Sequence, residues 1–522
     1  MSAPAALTAR RSHARAALLW LLGALIAGVY VGGAAFHVAY GALNIDEGFY
    51  AAATRAVWQG EMPYRDFGFT QPPLVAYANA PLLGAIGFGL FQQRAVNGLW
   101  AALAVLLAVW LVHRRAGRAS AFLLAALFAL APPWMYFLHL GKTYAVTSFL
   151  AMLATVAFLL AAPGWKKSVA LSFLAALGVA CRLPAAPFFG LLWIASLFEG
   201  DAPLLRRLLL STVALLASAA AIFLPFYLAA PESFVFWTFD FHRVSVPHKD
   251  WRVRWNEIVA VAPAVWLLAL GAGAACLARR SAWRREHAVL LSALAALAFN
   301  LFPRGTYEEY SVPFLLPLAA ASLALLWPAV SNFSPLKLAL ASFALLATPF
   351  TLAPAVNWSH LTPSQRQLPS AFLPRNTPPY HFELPTRIAA ARDVVQRLLP
   401  ENQPLVGPAI LLAIEADRPI PPRFRMGAFG MSFDYDRERA HALHLATGDD
   451  FESYLRDIDV PIVALHTNPK FNFLWSMPSF DPPPLDRMRE FERLFSRYFV
   501  PVYRDEEFFI VARPHVLPVV AP

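Results

Sequence analysis

Long apolar stretches dominate this sequence and limit the folds open to it. Several approach or exceed the roughly 18 residues that a helix needs to cross the hydrocarbon core of a bilayer. They recur from about residue 16 to about residue 355 and are rich in leucine and alanine, without the alternating pattern of membrane strands. Only 15% of the 522 residues are charged, too few to cover a soluble protein of this size. The sequence therefore predicts an α-helical polytopic membrane protein.

The positions of these stretches predict about eleven transmembrane helices. The predicted spans are residues 16–40, 92–112, 120–138, 144–162, 168–182, 185–199, 208–229, 258–278, 287–302, 311–330 and 336–355. Residues 72–90 are also apolar, but their prolines and glycines favour an interfacial or re-entrant segment over a further span.

Basic clusters alternate with the spans and indicate their orientation. Clusters such as "HRRAGR" (113–118) and "ARRSAWRRE" (278–286) fall on the same side as the N-terminus, which the positive-inside rule assigns to the cytoplasm. This orientation places the first outer loop, residues 41–91, and the C-terminal segment on the side of the membrane opposite the N-terminus. This topology accounts for the net charge of +10, so that charge does not indicate a nucleic-acid partner.

The composition changes near residue 357. Residues 1–356 form the predicted transmembrane domain, residues 357–385 read as a proline-rich linker, and residues 386–522 predict a small extracytoplasmic α/β domain. The elements expected in that domain are helices at 386–399 and 484–499, short buried strands at 404–408 and 460–466, and an edge-type strand at 506–513.

Two adjacent carboxylates, Asp46 and Glu47, stand where the first apolar stretch ends. Like charges side by side destabilise each other unless something uses them. Such a pair suits a general base with a helper. The residues that follow have Phe49, Ala53 and neighbouring apolar side chains near one face, which predicts a helix lying along the membrane surface with Asp46 at its N-terminus.

The segment "DEGFYAAATRAVWQGEMPYRDFGFTQPPL" (46–74) resembles the first outer loop of GT-C glycosyltransferases. The resemblance is to the bacterial branch allied to the protein O-mannosyltransferases and the lipid A aminoarabinose transferase. The shared pattern is Asp-Glu, a nearby tyrosine, a later glycine, Pro-Tyr-x-Asp and Pro-Pro-Leu. It implies a GT-C-like fold and a sugar taken from a polyprenyl-phosphate donor at the outer face. It also implies an inverting single displacement with Asp46 as the base.

The departing lipid phosphate needs cations near the membrane interface. Residues that we predict to bind the donor phosphate are Arg182, Arg304, Lys142 and Arg55. Arg182, in "VACRLPAAP", is the most informative, because an arginine at that depth is unfavourable unless it faces a partner or a wet cavity. Lys142 and Arg304 have the alternative of snorkelling to the interface. Candidate acceptor-site or helper residues are Asp66, Tyr64, Tyr307 and Glu309.

One departure from the GT-C pattern bears on metal binding. Relatives often carry a second acidic residue just after the third span, whereas this chain reads "HLGKTYAVTS" (139–148) there. A scheme with two carboxylates on one metal ion is therefore in doubt, although Asp66 or Glu47 could substitute. We assign no metal ligands, and a divalent cation such as Mg²⁺ or Mn²⁺ stays open as a cofactor.

Two other functions compete with glycosyl transfer. A transporter or flippase of lipid-linked sugars would usually place charges deep within its spans and show related halves, neither of which is visible here. In an enzyme, a groove should join the charged residues Asp46, Arg182 and Arg304 to the bilayer. In a non-catalytic envelope assembly protein, packed side chains that exclude water should fill that space. The acceptor hydroxyl could belong to a lipid, a polysaccharide or a protein.

Overall fold

The structure is a computed structural model that describes residues 3–200, 202–244, 250–279, 282–301, 308–351, 380–468, 472 and 483–517. The chain begins with α1 (Ala3–Tyr40), α2 (Asp46–Trp58), α3 (Leu74–Ile86), α4 (Leu90–Ala129), α5 (Pro132–His139), α6 (Tyr144–Leu160), α7 (Trp165–Cys181), α8 (Ala186–Leu197) and α9 (Leu204–Ala229). It continues with α10 (Pro231–Val235), α11 (Phe241–Val244), α12 (Trp251–Val261), α13 (Pro263–Arg279), α14 (Arg285–Leu301), α15 (Val312–Val330) and α16 (Pro335–Thr351). The predicted helical architecture is confirmed, and the bundle packs around α15, which contacts α4, α6, α13 and α14.

The helix boundaries differ from the predicted spans in two places. The predicted spans 92–112 and 120–138 are replaced by the long α4, which bends at Gly117 with φ at 78°, and the short α5. The predicted span 258–278 is broken, because α12 and α13 meet at an angle of 95°. Proline at the start of α13 cannot donate the backbone hydrogen bond that would continue α12.

The number of transmembrane helices stays a prediction. Within the described residues, four helices are long and apolar enough to cross a bilayer alone, or up to six if each of two bent pairs is one span. Other apolar helices, such as α3, are only 10–17 residues long.

The basic loops that were predicted to share one side do meet at one end of the bundle. Arg115 of "HRRAGR" lies 2.9 Å from Glu286, which closes "ARRSAWRRE". Lys167 and Arg285 both pair with Glu199, with distances of 2.5 and 3.0 Å. Residues at or next to four separate connections between predicted spans therefore cluster together, and the side of the membrane that they face stays a prediction.

The C-terminal segment combines helices with a small sheet. Its helices are α17 (Leu384–Leu398), α18 (Ile410–Glu415), α19 (Arg437–Ala442), α20 (Gly448–Arg456) and α21 (Leu485–Tyr498). Its strands are β1 (Met431–Ser432), β2 (Ala446–Thr447), β3 (Ile462–His466), β4 (Val500–Arg504) and β5 (Phe508–Ala512). Both predicted helices and the strand at 460–466 are present, whereas residues 404–408 contribute only a bridge from Val406 to Val463.

The prediction that residues 506–513 form an edge strand is wrong. Strand β5 is the central strand of an antiparallel sheet with the order β3-β5-β4. Strand β3 pairs with all of β5, and β4 pairs with residues 509–512, so the apolar residues of β5 are largely buried rather than exposed at an edge. Most of the predicted linker lies outside the described residues.

Helix α2 occupies an interior position rather than a surface one. Residues from Glu47 to Ala56 are buried all round, because α2 packs against α3 and α4 on one side and α18 on the other. The expectation of a helix with one face on the membrane surface does not describe this packing. Enclosure on all sides fixes the direction of the side chains at the start of α2.

Candidate active site

The sequence "NIDE" begins α2 and separates its two carboxylates. Asp46 and Glu47 occupy the first helical turn, where the free amide groups favour negative side chains. The Asp46 amide donates to Asn44 Oδ1 at 3.1 Å, and the Asn44 amide donates to Glu47 Oε2 at 3.1 Å. Asn44 thus ties the turn together while the two carboxylates point to different neighbours.

Glu47 is fully buried in an ion pair with Arg94. Arg94 donates from Nε to Oε1 at 2.8 Å and from Nη2 to Oε2 at 2.6 Å. The same guanidinium donates to the carbonyls of Gly41 and Ala42, and the amide of Gly141 donates to Glu47 Oε1 at 3.1 Å. This geometry does not support the predicted catalytic role of Glu47, because both oxygens are engaged and enclosed. The pair instead joins the start of α2 to the loop between α5 and α6.

Asp46 keeps access to solvent and pairs with Lys142. The distance from Lys142 Nζ to Asp46 Oδ2 is 2.8 Å, and 27% of the Asp46 side chain is exposed. The same ammonium lies 3.4 Å from Glu309 Oε1, while the side chains of Lys142 and Glu309 are only 5% and 3% exposed. One buried cation therefore bridges two carboxylates from distant parts of the chain, of which only Asp46 is partly open.

Arg182 lies beside this group at the C-terminal end of α7. The helix ends with Arg182 in an extended conformation, and Pro184, two residues later, has no amide hydrogen with which to continue it. Arg182 Nη1 donates to Thr143 Oγ1 at 3.1 Å, and the guanidinium lies 4.8 and 4.1 Å from the ring centroids of Tyr144 and Tyr310. Aromatic faces hold a guanidinium without neutralising it, so its charge stays available.

The nitrogen Nε of Arg182 is buried and has no hydrogen-bond partner among the described residues. A buried donor without a partner is unfavourable by about 1–3 kcal/mol, and by more for a charged group. Since Arg182 also makes no ion pair with a described carboxylate, the arrangement suits an anionic ligand that completes its hydrogen bonds.

Tyr50 completes the cluster from α2, one turn after Asp46. It is buried and interacts electrostatically with Asp46, Lys142 and Arg182. We name the group formed by Asp46, Lys142, Arg182, Glu309 and the tyrosines Tyr50, Tyr144 and Tyr310 the charged cluster.

Arg55, a predicted phosphate ligand, lies elsewhere. Its Nη2 donates to the carbonyl of Arg418 at 2.6 Å, and its Nη1 is 3.6 Å from Asp417. Burial lowers the pKa of Arg55, and the charges that act on it are those of Asp417, Arg425 and Glu61 rather than those of the charged cluster. Arg55 therefore joins α2 to the C-terminal segment and does not face a donor phosphate at Arg182.

Tyr64 and Asp66, two predicted helpers, stabilise the loop after α2. Burial raises the pKa of Tyr64, and its carbonyl accepts from His444 of the C-terminal segment at 2.8 Å. Asp66 accepts from the amide of Met62 at 2.7 Å, and its hydrogen bond from Arg65 holds the pKa of the carboxyl below its usual range. These contacts give both side chains a role within the loop. The predicted residues Arg304 and Tyr307 lie outside the described residues.

The charged cluster does not fit a divalent metal ion between its carboxylates. Asp46 and Glu309 both converge on Lys142 Nζ, where an ion would have to displace an ammonium. Mg²⁺ also needs near-octahedral oxygen ligands at about 2.0–2.1 Å. In the part of the chain that the structure describes, no group of three or more His, Cys, Asp or Glu side chains could hold a metal ion.

A cavity next to the C-terminal segment is separate from the charged cluster. A cavity of about 720 Å³ lies between residues 227–243 and the C-terminal segment, lined among others by Glu232, Asp240, Arg243 and Arg439. None of the residues of the charged cluster lines it. Size alone therefore does not locate the site, and the chemistry of the side chains does.

Sequence reasoning missed several members of the site. Arg94 was not singled out, although an arginine at the start of an apolar stretch is the kind of intramembrane charge that indicates a buried partner. Thr143 and Tyr144 follow Lys142 directly but carry no motif of their own. Their contact with Arg182 depends on the packing of α6 against α7, which no local pattern reveals.

The architecture described above is similar to that of solved ArnT structures, and the fold that the resemblance of residues 46–74 implies is confirmed. The crystal structure of ArnT from Cupriavidus metallidurans bound to undecaprenyl phosphate matches with a TM-score of 0.63 and 16% identity, over 97% of this chain and 99% of that chain. The apo structure of the same ArnT matches with a TM-score of 0.63 and 14% identity, over 96% and 98% of the two chains. No protein-family model and no curated protein matches the sequence.

Proposed function

We propose that this protein is a glycosyltransferase of the bacterial inner membrane. It moves a monosaccharide from a polyprenyl-phosphate donor to an acceptor hydroxyl at the outer face, by an inverting single displacement. The observation that carries the proposal is that one cluster, within a GT-C-like fold, contains the partly exposed carboxylate of Asp46 and the buried guanidinium of Arg182, which forms no ion pair with a carboxylate among the described residues. The first group suits a base and the second suits a phosphate.

Asp46 is the proposed base. Lys142 binds its Oδ2, which leaves Oδ1 to accept the proton of the acceptor hydroxyl. As that proton moves to Asp46, the acceptor oxygen forms a bond to the anomeric carbon from the face opposite the phosphate. The bond between the anomeric carbon and the phosphate oxygen breaks, and its electron pair leaves with the lipid phosphate. No covalent enzyme intermediate is needed, because the lipid phosphate is a good leaving group.

Arg182 is the proposed phosphate ligand. Its unpartnered Nε and its position between the rings of Tyr144 and Tyr310 present a charge-assisted donor that is already oriented. Preorganised donors stabilise the charge that develops on the leaving group without reorganising during the reaction. Lys142 contributes a second positive charge near the same point, and the predicted role of Arg304 remains a proposal.

A polyprenyl phosphate is the donor class that best fits these residues. The ArnT structure with the same architecture contains undecaprenyl phosphate, a lipid monophosphate. A donor that is already activated as a lipid phosphate needs no nucleotide site. The buried position of Arg182 at the end of an apolar helix suits a headgroup whose tail stays in the bilayer.

The proposal is tested by mass spectrometry of a strain that lacks this gene. Glycolipids, surface polysaccharides and glycoproteins are compared between the deletion strain and strains complemented with the wild-type protein or with Asp46→Asn. We expect one acceptor to lose a monosaccharide in the deletion strain, to regain it with the wild-type protein, and to stay unmodified with Asp46→Asn at equal protein level. Full complementation by Asp46→Asn would remove Asp46 as the base, and an unchanged glycan profile in the deletion strain would contradict the function.

A further inference from the structure

The Lys142 side chain enters the charged cluster from a rigid loop. The carbonyl of Leu140 accepts from Asn97 Nδ2 at 2.9 Å, and the carbonyl of Gly141 accepts from Gln93 Nε2 at 2.8 Å. A Cβ atom on Gly141 would lie only 2.3 Å from that Gln93 nitrogen, so the close approach requires glycine. Because α4 and Glu47 hold the loop on both sides of the backbone, the Cα of Lys142 is fixed relative to α2.

The ammonium occupies the point where the two carboxylates of the cluster meet. Asp46 comes from the start of α2 and Glu309 precedes α15, and both direct an oxygen at Lys142 Nζ. Without a cation between them, two carboxylates that approach the same point would repel each other. A compact ammonium with three donors satisfies both acceptors at once.

A fixed ammonium does several things that a bound divalent ion would do. It orients the Asp46 carboxylate and places positive charge beside the reacting groups. It differs in being covalently part of the chain, so its presence does not depend on the concentration of metal in the periplasm. The side chain is buried, which protects the pair from screening by salt.

We propose that Lys142 is the built-in cation of this site, holding Asp46 and Glu309 in place of a divalent metal ion, so that transfer does not depend on one. Lys142 is a positioning residue in this scheme, because it acts through Asp46. The inference rests on the proposed function only for its activity readout, since metal binding can be measured on the protein alone.

The first experiment measures Mn²⁺ binding by electron paramagnetic resonance on the purified full-length protein in nanodiscs, titrated with MnCl₂. The variants are wild type, Asp46→Asn, Lys142→Asp and, as a matched control, Lys337→Asp at an exposed lysine. We expect wild type, Asp46→Asn and Lys337→Asp to bind the same amount of Mn²⁺, and Lys142→Asp to bind one additional ion. One more ion in wild type than in Asp46→Asn, or no additional ion in folded Lys142→Asp, would overturn the inference.

The second experiment measures transfer in the presence of EDTA. We expect wild-type activity to be unchanged by EDTA, Lys142→Met to lose at least about 100-fold without recovery in Mg²⁺ or Mn²⁺, and Lys142→Arg to keep part of the rate. Loss of wild-type activity in EDTA with recovery in Mg²⁺ would overturn the inference. If no transfer is detected at all, the proposed function fails, while the Mn²⁺ measurement still decides the role of Lys142.

Discussion

Asp46 and Glu47 are adjacent in the chain, but they enter two different environments. Glu47 is enclosed with Arg94 in a dry pair whose every oxygen is bonded to the protein. Asp46 is paired with Lys142 through one oxygen and remains partly exposed. The comparison shows that one turn of helix can supply both the support and the chemistry of a site, because successive residues of a helix point in different directions.

Removal of the Glu47–Arg94 pair and removal of the Asp46–Lys142 pair should affect different properties of the protein. Breaking a buried ion pair leaves an uncompensated charge, which is strongly destabilising. Breaking a pair that is open to solvent leaves groups that water can solvate, so stability changes little and reactivity changes more. The three ion pairs of α2 (Glu47–Arg94, Asp46–Lys142 and Arg55–Asp417) form a series from fully buried to largely exposed.

The largest effect expected is on the rate of transfer in Asp46→Asn. Removing a general base typically lowers a rate by about 10²–10⁴-fold, and the amide is nearly isosteric, so the thermal unfolding temperature should stay close to that of wild type. Initial rates and unfolding temperatures of the purified protein measure both. Asp393→Asn, an exposed aspartate of α17, is the matched control and should retain the wild-type rate. If Asp46→Asn loses activity only because it unfolds, then Asp46 has a structural role like that of Glu47, and the proposed difference between the two carboxylates is wrong.

Glu47→Gln should show the reverse, with a loss of stability. An unpaired Arg94 in a buried site is expected to destabilise the protein by about 3–5 kcal/mol, measured by unfolding in detergent. The double variant Glu47→Leu with Arg94→Met should lose less than the sum of the two single variants, because it leaves no buried charge. Additive losses would show that the two side chains act independently and would contradict the pair.

Arg182→Ala should weaken the binding of undecaprenyl phosphate without a comparable change in stability. Charge-assisted hydrogen bonds contribute about 1.5–3 kcal/mol each, which corresponds to roughly 10- to 100-fold in affinity. Native mass spectrometry of the purified protein measures this binding. Arg182→Lys should keep the charge but lose contact with the tyrosine rings, giving an intermediate affinity. Unchanged affinity in Arg182→Ala would place the phosphate elsewhere.

The smallest effect on stability is expected for the Arg55–Asp417 pair, the most exposed of the three. Asp417 is 94% exposed where it meets Arg55, so Asp417→Asn should change the free energy of unfolding by less than about 1 kcal/mol. The bond from Arg55 to the carbonyl of Arg418 does not need the Asp417 carboxylate and should persist. If Asp417→Asn loses as much free energy of unfolding as Glu47→Gln, then the contribution of the three ion pairs to stability does not decrease with their exposure to solvent.

Part of this site could be predicted from the sequence. Asp46 was a candidate because of the adjacent carboxylates and the resemblance, and Arg182 because of its depth in an apolar stretch. Lys142 and Glu309 were candidates because they lie near predicted outer ends of spans, and the structure brings all four residues together. The start of α2 at Asp46 also follows from the local sequence. These features depend on composition and short-range pattern.

The rest depends on contacts between distant segments. Arg55 fits a phosphate ligand by its position in the first outer loop, but its partner is 363 residues away in the chain. The sequence does not distinguish the role of Glu47 from that of Asp46. The two roles differ because Arg94, on α4, forms a buried ion pair with Glu47. Strand β5 is central because β4 pairs with its second edge, and apolar content alone does not show which strand has two neighbours.

The hydrogen bond from Arg55 to the carbonyl of Arg418 joins two segments that the ribosome makes far apart in time. Helix α2 leaves the ribosome early, but the helix α18 that covers it follows only when most of the chain has been made. Until then the side of α2 that packs against α18 has no cover. We expect a chain that ends before residue 410 to leave this side of α2 exposed and to be less stable than the full chain.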